Sequence, residues 1–460
     1  MQSFRALSWV TAGGALALSL MADVSRADSF TPGNLVIYRV GDGSAALANT
    51  GNAIFVDEYT TTGILVQSIP LPTAASGANQ PLIASGTSTS EGLLTRSADG
   101  QYIVLTGYAT TMSASGSLSS SLAADVPRGV GRVSFDGSVD TSTALTDFAD
   151  GNNPRGVAST DGVSLWVAGA DSDSAVRYTT LGGKSSLALS NQSKNGRAVN
   201  IFAGQLYMSS QKTSIRIATV GTGLPTTAGQ TVMNLPGYPT SGAPDAFFFA
   251  DLDPNTPGLD TLYVAEDTND GGEIQKYSLA GASWIFNGSI PVPNVRGLTG
   301  MVSGTSVTLF ATQCGIDGTS GTLYSVIDRS GYNDVPSNQV ATLATALTNQ
   351  AFRGVALAPV GAAPSTPTST ASPKSTPTRT LTPTPTLGTP LPTVPPGSCV
   401  GDCTLTNSVH VSDLIIMVNI ALDVSPVSAC TAGDANKDGV ISVNEIVGAV
   451  NNALNGCPQS

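Results

Sequence analysis

A two-part pattern of short strands recurs along residues 34–358 and limits the folds open to this chain. The first part is a polar residue, often Arg, followed by Gly or Ala and then apolar residues. It begins at Glu91, Arg155, Arg197, Asp245, Arg296 and Arg353. The second part is an apolar run with an early aromatic residue, and it begins at Tyr102, Leu165, Leu206, Leu262 and Leu309. Repeats of roughly 40–60 residues that hold several short strands are typical of a β-propeller, a ring of small antiparallel sheets.

The number of blades depends on how the ring closes. No second strand follows the opening at Arg353, because the chain passes directly into a Pro/Thr-rich segment. Unpaired strand candidates remain at the other end, in residues 34–38, 53–59 and 64–71. A last blade that mixes strands from both ends leaves no sheet edge open. We therefore predict an all-β propeller of six blades over residues 28–360. Seven blades follow if residues 106–147 form another, and a pair of β-sandwiches is the structural alternative.

The two ends of this domain carry different signals. Residues 1–27 have a positive start, an apolar run and small residues before Asp28, which predicts a secretory signal peptide. Residues 361–398 are nearly all Thr, Pro, Ser and Ala, which predicts a disordered spacer. We expect a secreted or cell-surface protein with no transmembrane segment in its mature form. A formal net charge of −12 makes nucleic acid a poor partner.

Residues 434–445 carry oxygen-bearing side chains at the spacing of an EF-hand calcium loop, and Gly439 stands where that loop turns sharply. Hard oxygen donors without Cys or His suit calcium. The predicted ligands are Asp434, Asn436, Asp438, the Val440 carbonyl, Ser442 and Glu445. The alternative is a polar surface turn that binds nothing.

A weaker copy of this loop lies 32 residues earlier, in residues 402–413. Its candidate ligands are Asp402, Thr404, Thr406, Ser408 and Asp413. Thr replaces the usual Asp or Asn twice, and Asn407 replaces Gly, so calcium should bind more weakly there. An apolar-faced segment follows each loop, at residues 413–422 and 445–454, and predicts a short helix.

Two calcium loops, each followed by one helix, within residues 399–457 resemble a type I dockerin. The resemblance implies a small all-α, EF-hand-like module at residues 399–460. Such a module docks onto a cohesin domain, usually on a polysaccharide-degrading assembly; another extracellular partner is the alternative. The N-terminal part resembles secreted bacterial β-propellers of undefined function, in its repeat rhythm and in phrases such as residues 352–356. This second resemblance implies a fold and not an activity.

Four of the five cysteines lie in the C-terminal module: Cys399, Cys403, Cys430 and Cys457. An even cluster in a small exported module indicates two disulfides, for which three pairings exist. We favour Cys399–Cys457 and Cys403–Cys430. Cys314 is left over, and we expect a buried free thiol.

The propeller region contains no histidine, since His410 is the only one in the chain. This excludes Ser-His-Asp and Cys-His nucleophilic sites there, and also His-ligated metals. One candidate metal site resembles the calcium turn of integrin-type propeller repeats and consists of Asp251, Asp253, Asn255 and Asp260. A turn of polar residues is the alternative.

Four arginines, Arg155, Arg197, Arg296 and Arg353, each begin a candidate innermost strand. Equivalent positions in different blades lie at one height around the central channel, so these guanidinium groups should meet at one channel mouth. They could bind an anion such as an acidic sugar, because Arg suits bidentate contact with carboxylate. The alternative, which we favour, is that each pairs with an Asp of a neighbouring blade and fastens the ring.

These observations favour an exported binding or scaffold protein whose calcium-binding module mediates docking, with carbohydrate as a candidate ligand. The rival is an extracellular polysaccharide-degrading enzyme, a glycoside hydrolase or lyase, that uses propeller carboxylates. Glycoside hydrolysis needs two carboxylates about 5–10 Å apart in one cleft.

Overall fold

A computed structural model describes residues 27–112, 116–267, 271–337, 339–362, 399–404, 406, 408–421, 425–435, 437 and 439–457. The chain divides into two compact units, Met1–Thr368 and Ser369–Ser460. Nearly all of the predicted signal peptide and spacer lies outside the described residues, so their boundaries stay predictions. No helix in the described part has the length and hydropathy needed to cross a bilayer.

The N-terminal unit is built from antiparallel strands, and its largest sheet has nine of them. These are β1 (Leu35–Val40), β2 (Asn52–Tyr59), β3 (Leu65–Pro70), β4 (Ile83–Ala84), β5 (Leu94–Arg96), β6 (Tyr102–Tyr108), β7 (Arg128–Ser134), β8 (Val139–Leu145) and β25 (Ala351–Leu357). They form two groups, β25-β1-β2-β3 and β5-β6-β7-β8, which β4 joins by pairing with both β2 and β6.

Four separate four-stranded sheets follow in chain order. The first contains β9 (Pro154–Ser159), β10 (Ser164–Gly169), β11 (Val176–Thr180) and β12 (Leu187–Ala188). The second contains β13 (Gly196–Phe202), β14 (Gln205–Ser210), β15 (Ile217–Val220) and β16 (Val232–Asn234). The third contains β17 (Pro244–Ala250), β18 (Thr261–Glu266), β19 (Glu273–Ala280) and β20 (Ser283–Pro291). The fourth contains β21 (Val295–Ser303), β22 (Ser306–Cys314), β23 (Gly321–Asp328) and β24 (Gln339–Thr345). This succession of sheets is that of a β-propeller.

The first and last strands of the unit pair with each other. β25 runs antiparallel to β1, with Leu35 opposite Leu357 and Val40 opposite Ala351. The expected mixing of strands from both ends is therefore confirmed. Residues 106–147, considered for an extra blade, contain the end of β6 together with β7 and β8. The six-blade count itself stays a prediction.

Six strands, one from each four-stranded group, contact one another in a closed cycle: β5, β9, β13, β17, β21 and β25. The Gly and Ala residues of the recurring pattern explain how they approach so closely. The Gly354 N–H donates to the Gly92 carbonyl at 3.0 Å, and a Cβ at Gly354 would lie 2.7 Å from that oxygen. The Leu93 N–H likewise donates to the Arg155 carbonyl at 3.1 Å. Small residues at this position thus let the inner strands touch through their backbones.

Strands in the middle of the unit are buried because both of their faces are covered. Every residue of β1, β9 and β18 is buried, as expected for sheets stacked on both sides. Aromatic side chains fill one sector, where the Phe202 ring lies 5.3 Å from Phe249 and 6.1 Å from Phe248. The Trp166 indole is buried and donates to the Pro225 carbonyl at 2.8 Å.

One buried ion pair joins the third and fourth sheets. Lys276 Nζ lies 3.0 Å from Asp328 Oδ2, and both side chains are fully buried. The Tyr263 hydroxyl donates to the same carboxylate at 2.7 Å. Burial would raise the pKa of Asp328, but hydrogen bonds from Ser330 and Ser337 outweigh it and lower the pKa to about 2. Its stabilising effect should therefore be complete above about pH 4 and be lost as the pH falls through 2.

The described part of the C-terminal unit contains two α-helices, α1 (Val411–Ala421) and α2 (Val443–Asn455), and a short 3₁₀ turn at Val427–Ala429. Met417, Ile420 and Ala449 form its core. Disulfides join Cys399 to Cys457 and Cys403 to Cys430, which confirms the favoured pairing. Cys314 of the N-terminal unit is a buried free thiol, also as predicted.

The Lys276–Asp328 pair predicts a large effect of one substitution. Asp328→Ala would leave the buried Lys276 ammonium without its counter-charge, so the free energy of unfolding should fall by about 3–5 kcal/mol. Asp334→Ala, at an exposed carboxylate, is the control and should change it by less than about 0.5 kcal/mol. Urea unfolding followed by Trp166 and Trp284 fluorescence measures both. Equal stabilities of the two variants would contradict the role given to the pair.

Candidate functional site

The loop at residues 434–445, the stronger of the two predicted calcium loops, makes a tight turn between Asp434 and Glu445. Lys437 and Gly439 have left-handed backbones, with φ of 58° and 83°. The Gly439 N–H donates to Asp434 Oδ2 at 2.9 Å, and the Ala435 N–H donates to Glu445 Oε1 at 2.8 Å. Both end carboxylates therefore bind backbone of the same loop. Asn436 and Asp438 lie outside the described residues.

Glu445 also begins helix α2. Its Oε2 accepts hydrogen bonds from the N–H and hydroxyl of Ser442, at 2.8 and 3.0 Å, and Ser442 is the N-cap. This capping box explains why α2 starts two residues before the predicted segment 445–454. The Glu445 carboxylate thus links the loop to the helix, so a change in its ligands would alter the hydrogen bonds at the start of α2.

The weaker loop is held by its own side chains. Asp402 Oδ1 accepts the Thr406 N–H at 2.9 Å. The buried Asp413 accepts the Thr404 hydroxyl at 3.1 Å on Oδ1 and the His410 N–H at 2.9 Å on Oδ2. Thr404 thus engages the loop's last carboxylate directly. His410 Nε2 lies 3.0 Å from the Ser408 hydroxyl, in an exposed position.

Within the described residues, no group of three or more His, Cys, Asp or Glu side chains is gathered as a metal site. For the loop at residues 434–445 this count omits Asn436 and Asp438, so calcium there stays a prediction. The turn at residues 251–260 is described in full. There the buried Asp260 carboxylate accepts the N–H groups of Leu252 and Asp253, at 3.0 and 2.6 Å.

The Asp253 carboxylate is likewise used within that turn. It accepts the Asn255 N–H at 3.1 Å and the Asn255 side-chain amide at 2.9 Å. Hydrogen bonds from Asn255 lower the pKa of Asp253. Asp251 is exposed. These contacts favour the polar-turn interpretation over the calcium turn.

Five of the six polar residues that open the recurring pattern lie on inner strands, and Glu91 lies three residues before β5. Four of the six, Glu91, Asp245, Arg296 and Arg353, line one small cavity. Arg296 is bound on both sides: it lies 2.6 Å from Asp267 and donates to the Thr89 carbonyl. The space between these side chains measures about 10 Å³, no more than one water molecule needs. We call all six pattern-opening residues together the charged mouth.

The other arginines of the charged mouth bind mainly neutral groups. Arg353 donates to the Cys314 thiol and to the Gly86 carbonyl, and Arg155 donates to the Gly196 carbonyl at 3.0 Å. Arg197 donates to the Gln211 side chain. Burial lowers the pKa of Arg155 to about 9, and the neighbouring Arg197 adds to the effect.

Asp245 lies between two of these cations. Its two oxygens are each 3.9 Å from a guanidinium Nε, one of Arg197 and one of Arg296. Burial raises the pKa of Asp245, and the two arginines oppose this rise. An Asp from a neighbouring sheet, as predicted, is therefore found beside Arg296 and Arg197. Arg155 and Arg353 are instead held by neutral protein groups. This geometry favours fastening of the ring over anion binding.

The opposite end of the channel is open and was missed by sequence reasoning. A cavity of about 230 Å³ lies there, lined by the ends of the inner strands. Asn200, Phe248 and Thr299 each stand three residues after a pattern-opening residue. That fixed offset was the signal available in the sequence. Arg96, at the end of β5, completes the polar part of the wall.

No protein-family model matches the chain, and no curated protein matches it. Among solved structures it is similar to a nidogen/laminin complex, at 12% identity over 71% of this chain and 98% of that chain, with a TM-score of 0.38. It is also similar to a putative 6-phosphogluconolactonase from Bacteroides fragilis, at 15% identity over 70% of this chain and 84% of that chain, with a TM-score of 0.37. The Dos1 propeller is similar at 11% identity over 55% of this chain and 61% of that chain, with a TM-score of 0.34. These similarities assign neither a family nor an activity.

Glu266, whose pKa is raised further by Asp245 of the charged mouth, is expected to make stability depend on pH. Burial raises the pKa of Glu266 to about 7, against the hydrogen bond from the Ala243 N–H, and Asp245 adds to the rise. A raised carboxyl pKa favours the folded state at low pH, so stability should fall as the pH rises from about 4.5 to above 7.

Glu266→Gln keeps the acceptor oxygen but cannot ionise. Between pH 5 and pH 8 the free energy of unfolding should therefore fall by about 2 kcal/mol less in this variant than in the wild type. Asp317→Asn is the control: hydrogen bonds from Thr319 lower the pKa of this exposed carboxyl, so its charge does not change between pH 5 and pH 8 and the pH dependence should stay as in the wild type. Urea unfolding at the two pH values measures this. A Glu266→Gln protein with the wild-type pH dependence would refute the assignment.

Proposed function

We propose that this chain is an exported, non-catalytic binding or scaffold protein, in which a propeller is carried with a calcium-stabilised docking module. The observation that carries the proposal is a pair of exposed apolar stripes on the two helices of the C-terminal unit.

The stripes occupy equivalent positions in the two halves of the module. On α1, Ile415 and Val418 are exposed, and on α2, Val447 and Val450 are exposed. Each pair has helical i, i+3 spacing, and the two pairs are related by the same 32-residue offset as the loops. Ile415 and Val447 expose 56% and 61% of their surface. The helices bury other apolar residues in the core, so these four are surplus to folding. Clustered exposed apolar residues indicate a protein interface.

Calcium would be held by Asp434, Asn436, Asp438, the Val440 carbonyl, Ser442 and Glu445. The described part of the loop fits such an ion, because its donors are oxygens and its end carboxylates both turn toward the loop backbone. The ion would supply positive charge between carboxylates that otherwise repel. In the first loop, Thr404 already occupies Asp413, which supports weaker binding there.

Export is supported by the disulfides and by the predicted signal peptide. Two disulfides in a module of this size are typical of an oxidising compartment such as the extracellular space. For the propeller, we infer six blades. The closed cycle of six inner strands supports this count, since each blade of a propeller contributes one strand to the channel wall.

The rival function, a polysaccharide-degrading enzyme, would need two accessible carboxylates. Glu91 and Asp245 share a cavity, but it is the closed one of about 10 Å³, and Glu91 is occupied by Tyr108 and Asn153. The open cavity is lined by Arg96, Asn200 and Thr299 instead. Incubating the chain with a polysaccharide panel and measuring new reducing ends or unsaturated products separates the two functions. Product release would favour the enzyme.

We expect the full chain to bind at least one calcium ion. Asp434→Ala with Asp438→Ala removes two of the carboxylate ligands and should weaken binding by about a hundredfold or more. Calorimetric titration of calcium into the chelator-treated protein measures this, and Asp317→Ala with Asp334→Ala is the charge-matched control. No calcium heat from the wild type, or equal binding by both double variants, would contradict the site.

The stripes predict where a docking partner binds. Immobilised type I cohesin domains, tested with the full chain in calcium, are the probe. At least one should bind, and Ile415→Asp with Val447→Asp should weaken it by about tenfold or more, because charges would enter an apolar interface. Val302→Asp, at an exposed residue of the N-terminal unit, is the control. Binding by none of the domains, or unweakened binding by the double variant, would count against docking through this face.

A further inference from the structure

The channel is closed at one end and open at the other. The charged mouth is filled by its own side chains, and in the middle of the channel Gly156, Ala198 and Gly297 leave only about 20 Å³. The open mouth holds about 230 Å³. A ligand that enters there cannot pass through, so this end is a blind pocket and not a pore.

The size of the pocket limits what it can hold. Its volume is about 230 Å³. That is below the usual range for drug-sized ligands, about 300–1,000 Å³. The pocket therefore suits one small ring, not a chain of several.

One side of the pocket is aromatic. Phe202 and Phe248 line it, with their ring centroids 6.1 Å apart. Gly300 makes room for this wall, because a Cβ there would lie 2.7 Å from the Phe248 ring. Phe202 is fixed from behind by Phe249, at 5.3 Å. A rigid aromatic surface of this kind packs against the C–H face of a ring-shaped ligand.

The other side of the pocket is polar and carries a cation. Arg96 donates one hydrogen bond, to the Ala358 carbonyl at 3.3 Å. Within the described residues it forms no ion pair with a carboxylate, in contrast to Arg39, which is 2.5 Å from Asp57. Burial lowers the pKa of Arg96. A guanidinium placed so, in a protein of net charge −12, is left with donors for an anionic ligand.

Two further side chains offer hydrogen bonds. Asn200 lines the pocket, and its Oδ1 accepts the Ile201 N–H at 2.8 Å. Its side-chain NH₂ is the group that can donate to a ligand. Thr299 contributes a hydroxyl to the lining. A ligand with hydroxyl groups on a ring would meet these two donors and acceptors beside the charged Arg96.

We propose that the open mouth binds a single carboxylate-bearing sugar ring, with its carboxylate on Arg96, its C–H face on Phe248, and its hydroxyls near Asn200 and Thr299. A uronic acid at the end of an acidic polysaccharide has this chemistry. The proposal rests on the propeller part of the proposed function and is independent of docking by the C-terminal module. It places an acidic sugar at the opposite end of the channel from the four predicted arginines.

Calorimetric titration of the full chain with three probes tests the proposal. Methyl galacturonide should bind, neutral methyl galactoside should bind about tenfold or more weakly because it lacks the charged hydrogen bonds, and acetate should not compete. Equal binding of the charged and neutral sugars would refute the role of Arg96. Competition by acetate at the same concentration would show a general anion site and overturn the sugar assignment.

Three variants locate the site. Arg96→Gln should weaken methyl galacturonide binding by about tenfold or more, and Asn200→Asp should weaken it through repulsion. Thr299→Val should weaken it by a few-fold. Arg329→Gln removes one arginine from an exposed position and is the matched control. Thermal unfolding checks that all four remain folded. Wild-type affinity in folded Arg96→Gln and Thr299→Val would overturn the proposal, whatever the outcome of the cohesin experiment.

Discussion

The pairing of β25 with β1 is the interaction on which the N-terminal unit depends. It joins residues from opposite ends of the domain, and the facing edges of the two strands are paired with each other. β25 also reaches both ends of the channel. Arg353 near its start belongs to the charged mouth, whereas the Ala358 carbonyl just after it accepts the Arg96 guanidinium at the open mouth. One pairing thus sets the geometry of both ends.

The two mouths differ because the inner strands touch in between. Gly92, Gly156 and Gly354 allow backbone contact that side chains would prevent. On one side of this waist, buried arginines and carboxylates hold the blades together and are costly to separate. On the other side the strands diverge and leave room for a ligand. The buried charged residues and the proposed ligand pocket therefore lie at different ends of the same strands, which allows one to change without the other.

Much of the fold could be predicted from the sequence because local patterns specify it. Strand openings such as that at Arg155 and the helices after each loop follow from spacing, whereas the cysteines indicated two disulfides and left three pairings open. The partners of the arginines could not be predicted, since Asp267 meets Arg296 only when two sheets are adjacent. The open mouth was missed for a similar reason: the residues three places after each pattern opening form one wall only when the ends of the inner strands are adjacent.

The order in which the strands are made has a consequence for biosynthesis. β1 leaves the ribosome early, but its partner β25 is the last strand of the unit to be made. Until then, β1 exposes a buried-type strand of six residues with an unpaired edge, which is a target for chaperones and for aggregation. A chain interrupted before residue 351 would not give a smaller ring but an open arc. The pairing that closes the ring therefore cannot form until residues 351–357 have been synthesised.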